Sequence, residues 1–444
     1  MALDKIVSEL LSLDLSIKKL GEQKHDSPLK NSDVVFVPEE ERVLSVIDNS
    51  IVDEILRTNN KIPTFEKAGP REKLFFKPGT AVSAVVTCGG LCPGLNSVIR
   101  AIVMMNYYRY EKQITYGIKY GYAGLVKEFG HEIDVLTVDD VSEIHTKGGT
   151  ILGSSRGNQD AKAMVDRLEE LGVNILYTVG GDGTQKGALT IIREIEKRGL
   201  DIAVIGIPKT IDNDINFIQR SFGVETAFSA ACESIHNAHT EADCAYNGIG
   251  LVKLMGRESG FVAANAVLAT GEANFCLIPE VEFDLEGEKG LLQQIENRLL
   301  RRNHTVIVVA EGAGQKFVND PKNIQYDASG NVKLGDIGLF LKDKINAYFK
   351  EKKVDISLRY IDPSYNIRSC APTPNDSLFC FQLAQMAVHA GMSGRTGMVV
   401  GHNHSQFIHL PIEVATSKRK KIDVKQQLWQ SVLEATGQPT HFTN

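Results

Sequence analysis

The chain carries a single tryptophan, 14 prolines and seven cysteines in 444 residues, and it holds no uninterrupted apolar run of bilayer length. The cysteines (Cys88, Cys92, Cys232, Cys244, Cys276, Cys370 and Cys380) are odd in number and scattered, with no Cys-x-x-Cys pair. Cys88 and Cys92 stand four apart around two glycines, which is wrong for a zinc knuckle. Reduced thiols in a cytoplasmic protein are expected. A basic excess is also missing. With 49 Lys and Arg against 55 Asp and Glu the formal charge is −6, which speaks against a dedicated nucleic-acid binder. Any anionic substrate must then be drawn in by a local cluster of cations rather than by the overall field. Met1 to Leu20 mixes acidic residues among its apolar ones, which argues against a transit peptide, a signal peptide or a membrane span. His441-Phe442-Thr443-Asn444 matches no peroxisomal or retention signal.

What is present reads as a globular α/β protein. Hydrophobic residues make up 43% and charged ones 23%, and the length calls for two lobes plus an extension. Residues 1–80 have an amphipathic stretch from Ile6 to Leu20, a polar run from Gly21 to Asp33, and a second apolar-periodic piece from Val43 to Leu56. Pro63, Pro70 and Pro78 punctuate its exit. This predicts a largely helical extension, packed on a neighbouring subunit or serving as a peripheral cap. From Ala81 onward, short apolar runs alternate with helical stretches: Ala81–Thr87, Ile175–Val179, Ile202–Ile207, Ile249–Leu254 and Thr305–Val309. Such runs read as strands buried on both faces, hence two Rossmann-like lobes with mostly parallel sheets. Lys316 to Lys333 reads as a surface excursion with a turn at Asp327–Asn331.

In such sheets ligands bind beyond the carboxyl ends of strands. Gly89-Gly90, Gly180-Gly181-Asp182-Gly183-Thr184, Pro208 to Asp214, Met255-Gly256-Arg257 and Glu311-Gly312 all fall there. The first glycine turn imitates a P-loop, but Leu95-Asn96 stands where Lys-Ser/Thr is required, which excludes Walker-A chemistry. The second lets a backbone approach a polyphosphate, with the Asp182 carboxylate placed to hold Mg²⁺ through its water shell. Lipid kinases and NAD kinases carry a similar motif, so it names nucleotide phosphoryl transfer without naming the acceptor. Lys209-Thr210-Ile211-Asp212-Asn213-Asp214 sets two carboxylates behind a lysine, the need of a hydroxyl nucleophile that must lose its proton. Arg156, Arg257, Arg359 and Arg368 offer the forked donors that suit phosphate. His236 and His239, with Glu241 and Asp243, read as one exposed helix face, and Lys418-Arg419-Lys420-Lys421 as a solvated basic loop.

Together and in this order, the motifs from about Ala81 onward resemble the 6-phosphofructokinase family. The resemblance implies transfer of a phosphoryl group from MgATP to the 1-hydroxyl of fructose 6-phosphate. It implies nucleotide contacts at Gly90, Tyr122 (beside the adenine), Arg156, Gly157, Gly181, Asp182, Gly183 and Thr184. Asp212 matches the general base, with Thr210 and Asp214 beside it and Arg257 assisting. The sugar phosphate is implied to meet Thr210, Ile211, Asp212, Met255, Gly256, Arg257, Glu311, Arg359, Tyr365 and Arg368. Arg359 arrives from a neighbouring subunit in that family, which implies a homotetramer or dimer. The implied lobes are 81–225 plus about 367–420 for nucleotide, and 226–366 plus about 421–444 for sugar phosphate. No nucleic acid and no membrane is implied as a partner.

Departures from the family pattern carry their own expectations. Tyr365 replaces the histidine of compact bacterial members, a form typical of the plant, protist and pyrophosphate-related branch. Gly248 stands in place of a substrate-binding arginine, with Lys253 as a substitute. Leu91 replaces an aspartate, and Met104 replaces an effector-site arginine, so the bacterial ADP or phosphoenolpyruvate control is expected to be missing. For the donor, two positions disagree. Gly183 leaves open the space that an aspartate fills in pyrophosphate users, whereas Lys209 is the residue those enzymes carry. An obstruction vetoes and a cation only permits, so ATP is expected, with pyrophosphate use or a catalytically silent regulatory subunit as alternatives.

Overall fold

The computed structural model describes residues 2–59, 61–320, 322, 324–326 and 332–444. The turn expected at Asp327–Asn331 lies outside the described residues. The chain divides into two compact units, and it changes unit several times. The first takes 1–210, 215–222 and 371–418; the second takes 211–214, 223–370 and 419–444.

The apolar runs of the first unit form the middle of its sheet. Met398–Asn403, Ala203–Pro208, Ile175–Gly180, Val82–Thr87 and Ile114–Ile118 are neighbours in that order, all parallel. Antiparallel strands finish both edges: Gln406–Pro411, Thr64–Lys67 and Arg42–Leu44 on one side, Ile133–Val135 on the other. Side chains alternate across the sheet, so Ala84, Val86, Leu176 and Val204 share one face. There they pack with Met164, Val165 and Leu168 of the helix Ala161–Glu170 and Ala188, Ile191 and Ile195 of the helix Asp182–Arg198. The helices Leu95–Arg109 and Pro374–Met392 pack against each other, and the second also touches the strands Ile175–Gly180 and Ala203–Pro208.

Residues 1–80 are woven into this unit. The helices Ala2–Leu11 and Asn49–Asn59 share a small apolar cluster of Val7, Leu10 and Ile55. The piece read as apolar-periodic from Val43 to Leu56 divides into the end of the strand Arg42–Leu44 and most of the second helix. Thr64–Lys67 then joins the main sheet, and Lys18–Lys19 pairs with Arg395–Thr396. A buried ionic network fixes this join. Glu66 Oε1 accepts from Arg395 Nε at 2.5 Å and from His409 Nδ1 at 2.6 Å, while Arg395 Nη2 reaches Glu39 at 2.9 Å. Arg71 lies 3.4 Å from Glu39 and 3.7 Å from Glu66.

Burial alone raises the proton affinity of Glu66, but the bonds from His409 and Arg395 outweigh it and hold the carboxyl far below its ordinary range. His409 is pushed down to about 4, chiefly by burial, so it is neutral at pH 7 and donates to the carboxylate. Removing one partner of a buried pair strands the other, so Glu66→Gln is expected to cost about 3 kcal/mol of stability at pH 7 in denaturant unfolding. Because the folded pKa is depressed, Glu66's contribution is present above the ordinary carboxylate value. It is lost only as pH falls through the lower folded value. A variant as stable as the wild type at pH 7 would show that the network is not what pins the N-terminal segment.

The second unit has a four-stranded, fully parallel sheet in the order Phe275–Leu277, His304–Ala310, Gly248–Leu254, Ser357–Ile361. Ile249, Leu251, Ile307 and Val309 pack with Ile295 and Leu299 of the helix Leu291–Arg302 and with Leu341 and Ile345 of the helix Ile337–Glu351. The C-terminal residues return to this core. Phe442 is buried in it, and the Gln438 side chain bonds both the N–H (2.6 Å) and the C=O (3.3 Å) of Cys276.

Candidate active site

In the first unit three parallel strands stop level with one another: Thr87 faces Val179, and Gly180 faces Pro208. Their following turns are therefore neighbours, and hydrogen bonds tie them together. Gly89 N–H donates to the Ser155 carbonyl at 3.0 Å, and Ser154 Oγ donates back to Gly89 O at 2.6 Å. Lys209 N–H donates to Gly180 O at 3.0 Å, and its ammonium reaches Gly90 O at 2.5 Å. Gly89 takes φ +85° and Gly157 φ +101°, backbone that side chains with a Cβ rarely adopt. Arg156 sits beside Gly157 on the turn so joined.

The helix Asp182–Arg198 begins here with Gly181 at its N-cap, a residue that has no side chain to cap it. A helix start of this kind favours an anion. Asp182 is paired with Lys186 one turn on, at 2.9 Å. The two glycines of the loop differ in reason. A Cβ at Gly180 would lie 2.1 Å from Thr184 Oγ1, so packing demands glycine there. At Gly183 a Cβ would meet nothing within 4 Å, so the missing side chain leaves open space.

Tyr122, expected beside a base, is placed differently. It is only 5% exposed, its hydroxyl donates to Thr184 O at 2.7 Å, and a Cβ on Gly187 would strike its ring at 2.6 Å. The ring is thus buried against Gly187 and tied to the loop through the Thr184 carbonyl.

In the second unit Leu254 and Ala310 are level on adjacent parallel strands, so Met255-Gly256-Arg257 and Glu311-Gly312 emerge side by side. Glu311 N–H donates to Leu254 O at 2.8 Å and Gly312 N–H to Gly256 O at 3.0 Å. Any Cβ on Gly312 would lie 1.8 Å from Arg257 O, so the two loops touch through backbone alone. Arg257 Nη2 donates to Val332 O at 2.5 Å.

The segment 211–214 belongs to this unit, and Ser259 Oγ donates to Asp212 O at 2.7 Å. Burial, then the neighbouring carboxylates of Asp214 and Glu311, push the Asp212 carboxyl up to about 7; the Arg257 backbone N–H and the Arg419 cation pull only partly against them. Glu311 is raised too, by burial, with Arg257 and Lys253 opposing. A buried carboxylate titrating near neutrality is what a general base requires.

Arg359 does not join this group within one chain. It stands level with Gly250, five residues and roughly 16 Å of strand short of Met255, and faces Glu241 at 3.4 Å. Tyr365 is 74% exposed on the short helix Ser364–Ser369, with the Arg368 guanidinium 4.8 Å over its ring. Lys253, expected to replace the arginine missing at 248, has its ammonium between Asp362 (2.8 Å) and Asp336 (3.0 Å). Gly248 itself has no room for a side chain, since a Cβ would lie 2.0 Å from Ala242 O.

Of the basic tetrad read as a solvated loop, Lys418 and Lys421 are exposed, whereas Arg419 and Lys420 are drawn into the site. Arg419 is ion-paired with the Asp214 carboxylate and lies 3.3 Å from Glu258, and Lys420 N–H donates to Asp214 O at 2.8 Å. The Lys420 ammonium is buried over the Phe261 ring, and burial brings its pKa down to about 7. No local pattern links residue 419 to residue 214, 205 positions earlier. His236 pairs with Glu272 at 2.9 Å, and His239 packs edge-on to His304.

Glycine-lined strand ends beside a helix start, and a carboxylate of raised proton affinity beside an arginine loop, define an α/β phosphotransferase. Residues 82–391 match the family described as phosphofructokinase, and the chain belongs to that family. It is 47% identical to the ATP-dependent 6-phosphofructokinase of Borreliella burgdorferi, over 98% of both chains. With the ATP-dependent 6-phosphofructokinase of Trypanosoma brucei brucei it shares 48% identity over 84% of this chain and 76% of that one. Among solved structures, the pyrophosphate-dependent phosphofructokinase of Marinobacter aquaeolei has the same fold. Its TM-score is 0.66 at 18% identity, covering 80% of this chain and 91% of that one.

Proposed function

We propose that this chain is an ATP-dependent 6-phosphofructokinase, which moves the γ-phosphoryl group of ATP to the 1-hydroxyl of fructose 6-phosphate. The observation that carries this reading is Asp212: a buried carboxyl raised to about 7, bonded to the Arg257 backbone N–H and facing the Asp214 and Glu311 carboxylates, with Ser259 Oγ donating to its carbonyl. Asp212 accepts the proton of the sugar hydroxyl as that oxygen attacks phosphorus. Thr210, Ile211, Met255, Gly256 and Glu311 hold the sugar, and Arg257 meets charge spread over the phosphoryl oxygens. Gly90, Arg156, Gly157, Gly181, Asp182, Gly183 and Thr184 receive the nucleotide phosphates. Tyr122 supports that loop from below.

Among the described residues no group of three or more His, Cys, Asp or Glu could hold a metal ion. Asp182 offers one carboxylate at the phosphate-facing helix start, which fits a Mg²⁺ ion that arrives on ATP with part of its water shell. When bound, that ion neutralises phosphate charge. Arg359, too far back on its strand to serve its own sugar loop, is read as a contact given to a neighbouring subunit, with Arg368 and Tyr365 completing the 6-phosphate group. A homotetramer, or at least a dimer, follows from that sharing.

The donor reading rests on the open space at Gly183, and the branch reading on Tyr365 and Lys209: ATP use on a pyrophosphate-type scaffold. Lys209 has its ammonium bonded to the Gly90 carbonyl, which anchors the first turn whatever the donor. Supplying MgATP with fructose 6-phosphate, NAD or diacylglycerol tests the acceptor. Formation of fructose 1,6-bisphosphate alone is expected. Turnover on NAD or lipid without turnover on the sugar would overturn the assignment, as would a chain inactive alone that alters a partner's kinetics.

A further inference from the structure

The base pair Asp212–Asp214 has a cationic neighbour that the reading above does not use. Arg419 belongs to the segment that follows the last strand of the chain, 205 positions beyond Asp214, yet its guanidinium is ion-paired with the Asp214 carboxylate. Asp214 is nearly closed off, with its side chain 6% exposed, whereas Arg419 keeps 26%. On its outer side Arg419 Nε lies 3.3 Å from the half-exposed Glu258, next in sequence to Arg257. The next peptide closes the join, since Lys420 N–H donates to the Asp214 carbonyl. The segment is locked further on, where Glu280 accepts from Ile422 N–H at 2.8 Å and from Gly260 N–H at 3.1 Å. Arg419 is thus held by a seam that also fixes the start of the helix Phe261–Thr270.

We propose that Arg419 is a positioning residue for the phosphoryl-transfer base: its guanidinium holds the Asp214 carboxylate in place beside Asp212 and sets a fixed positive charge against the two acids.

The electrostatics of the surroundings support the assignment. Asp212 feels burial, Asp214 and Glu311 on one side of the balance, and the Arg257 N–H and Arg419 on the other. Glu311 in turn feels Arg257 and Lys253, and Lys420 feels Asp214. Two carboxylates two residues apart cannot both ionise cheaply in a closed site. A cation bound to the outer one lowers the proton affinity of the pair as a whole, whichever carboxyl a proton occupies. Guanidinium suits the place because it stays charged when buried and can serve Asp214 and Glu258 with different nitrogens. The Lys420 ammonium, whose charge burial disfavours, is a poorer source of fixed charge there.

The proposal rests on the kinase reading, and its test separates the two. The full-length wild type, Arg419→Met, Arg419→Lys and Glu258→Gln are assayed with fructose 6-phosphate and MgATP from pH 5.5 to 9. A wild type without turnover defeats the kinase reading and, with it, this proposal. Given an active wild type, Arg419→Met should move the acid limb of kcat upward by about one pH unit, a ~10-fold loss at pH 6 that narrows above pH 8. Arg419→Lys should restore most of the limb's position. Glu258→Gln frees Arg419 from its second carboxylate, so it should move the limb slightly downward. If Arg419→Met does not fold, the Lys and Gln variants decide, because opposite displacements of the limb are still required of them. A uniform fall in kcat at every pH, or limbs unmoved in all three variants, would leave Arg419 a merely structural residue and overturn the proposal.

Discussion

Asp212→Asn lowers kcat by at least ~10²-fold, while the protein becomes no less stable above pH 7. The first half follows from removing the carboxylate proposed to take the sugar proton, which lies beside the Arg257 backbone N–H. The second half follows from the cost of keeping an ionised carboxylate there. Burial, Asp214 and Glu311 raise its pKa from 3.8 to about 7. A raised carboxyl favours the folded state fully below the unfolded value, and that benefit is lost as pH climbs through the folded one. At pH 8 the wild type therefore bears a buried repulsion that asparagine lacks. Thermal melts at pH 8 and steady-state kinetics on the same samples check both halves. An Asn variant with near-normal turnover would transfer the role to Asp214, and one that melts well below the wild type at pH 8 would contradict the repulsion.

Gly183→Asp is expected to reduce kcat/KM for ATP by at least ~10²-fold, whereas Gly183→Ala should cost less than ~10-fold. The space beyond a Cβ at this position is empty to 4 Å, and the backbone is an ordinary helical one. A methyl group therefore fits without strain. The Cβ of an aspartate meets the same open space, and a carboxylate in the first turn of a helix favours folding. What it changes is the ligand's side: a second negative charge beside Asp182 where a triphosphate must lie. Like charges brought together cost several kcal/mol, and each 1.4 kcal/mol is tenfold. The same variant should keep whatever turnover the shorter pyrophosphate supports. Undiminished use of ATP by Gly183→Asp would remove the basis for the donor assignment.

How much of this was written in the sequence depends on distance along the chain. All five apolar runs read as strands are strands, because a strand buried on both faces must be apolar at successive positions. Their ends carry the expected glycines and acids because a parallel sheet exposes ligands only there. Contacts between remote segments left no such mark. The pairing of Thr64–Lys67 with Gln406–Pro411 and the bond between Glu66 and Arg395 cross more than three hundred positions. Arg419 looked solvated for the same reason: charge runs are read by their own neighbours, and its partner is Asp214. Tyr122 shows a different kind of contact that the sequence does not mark. A tyrosine near a nucleotide loop suggests a stacking ring; its burial and its bond to the Thr184 carbonyl, 62 positions on, are set by the fold. Gly248 could be seen as a departure from the family, but only the carbonyl of Ala242 explains why no arginine fits there.

The direct test of the account is the donor comparison on the purified full-length chain: fructose 6-phosphate with Mg²⁺ and either ATP or pyrophosphate, measured as fructose 1,6-bisphosphate formed. Rapid turnover with ATP and little or none with pyrophosphate is the predicted result. Rapid turnover with pyrophosphate and none with ATP would contradict it, and would give Lys209 rather than Gly183 the decision.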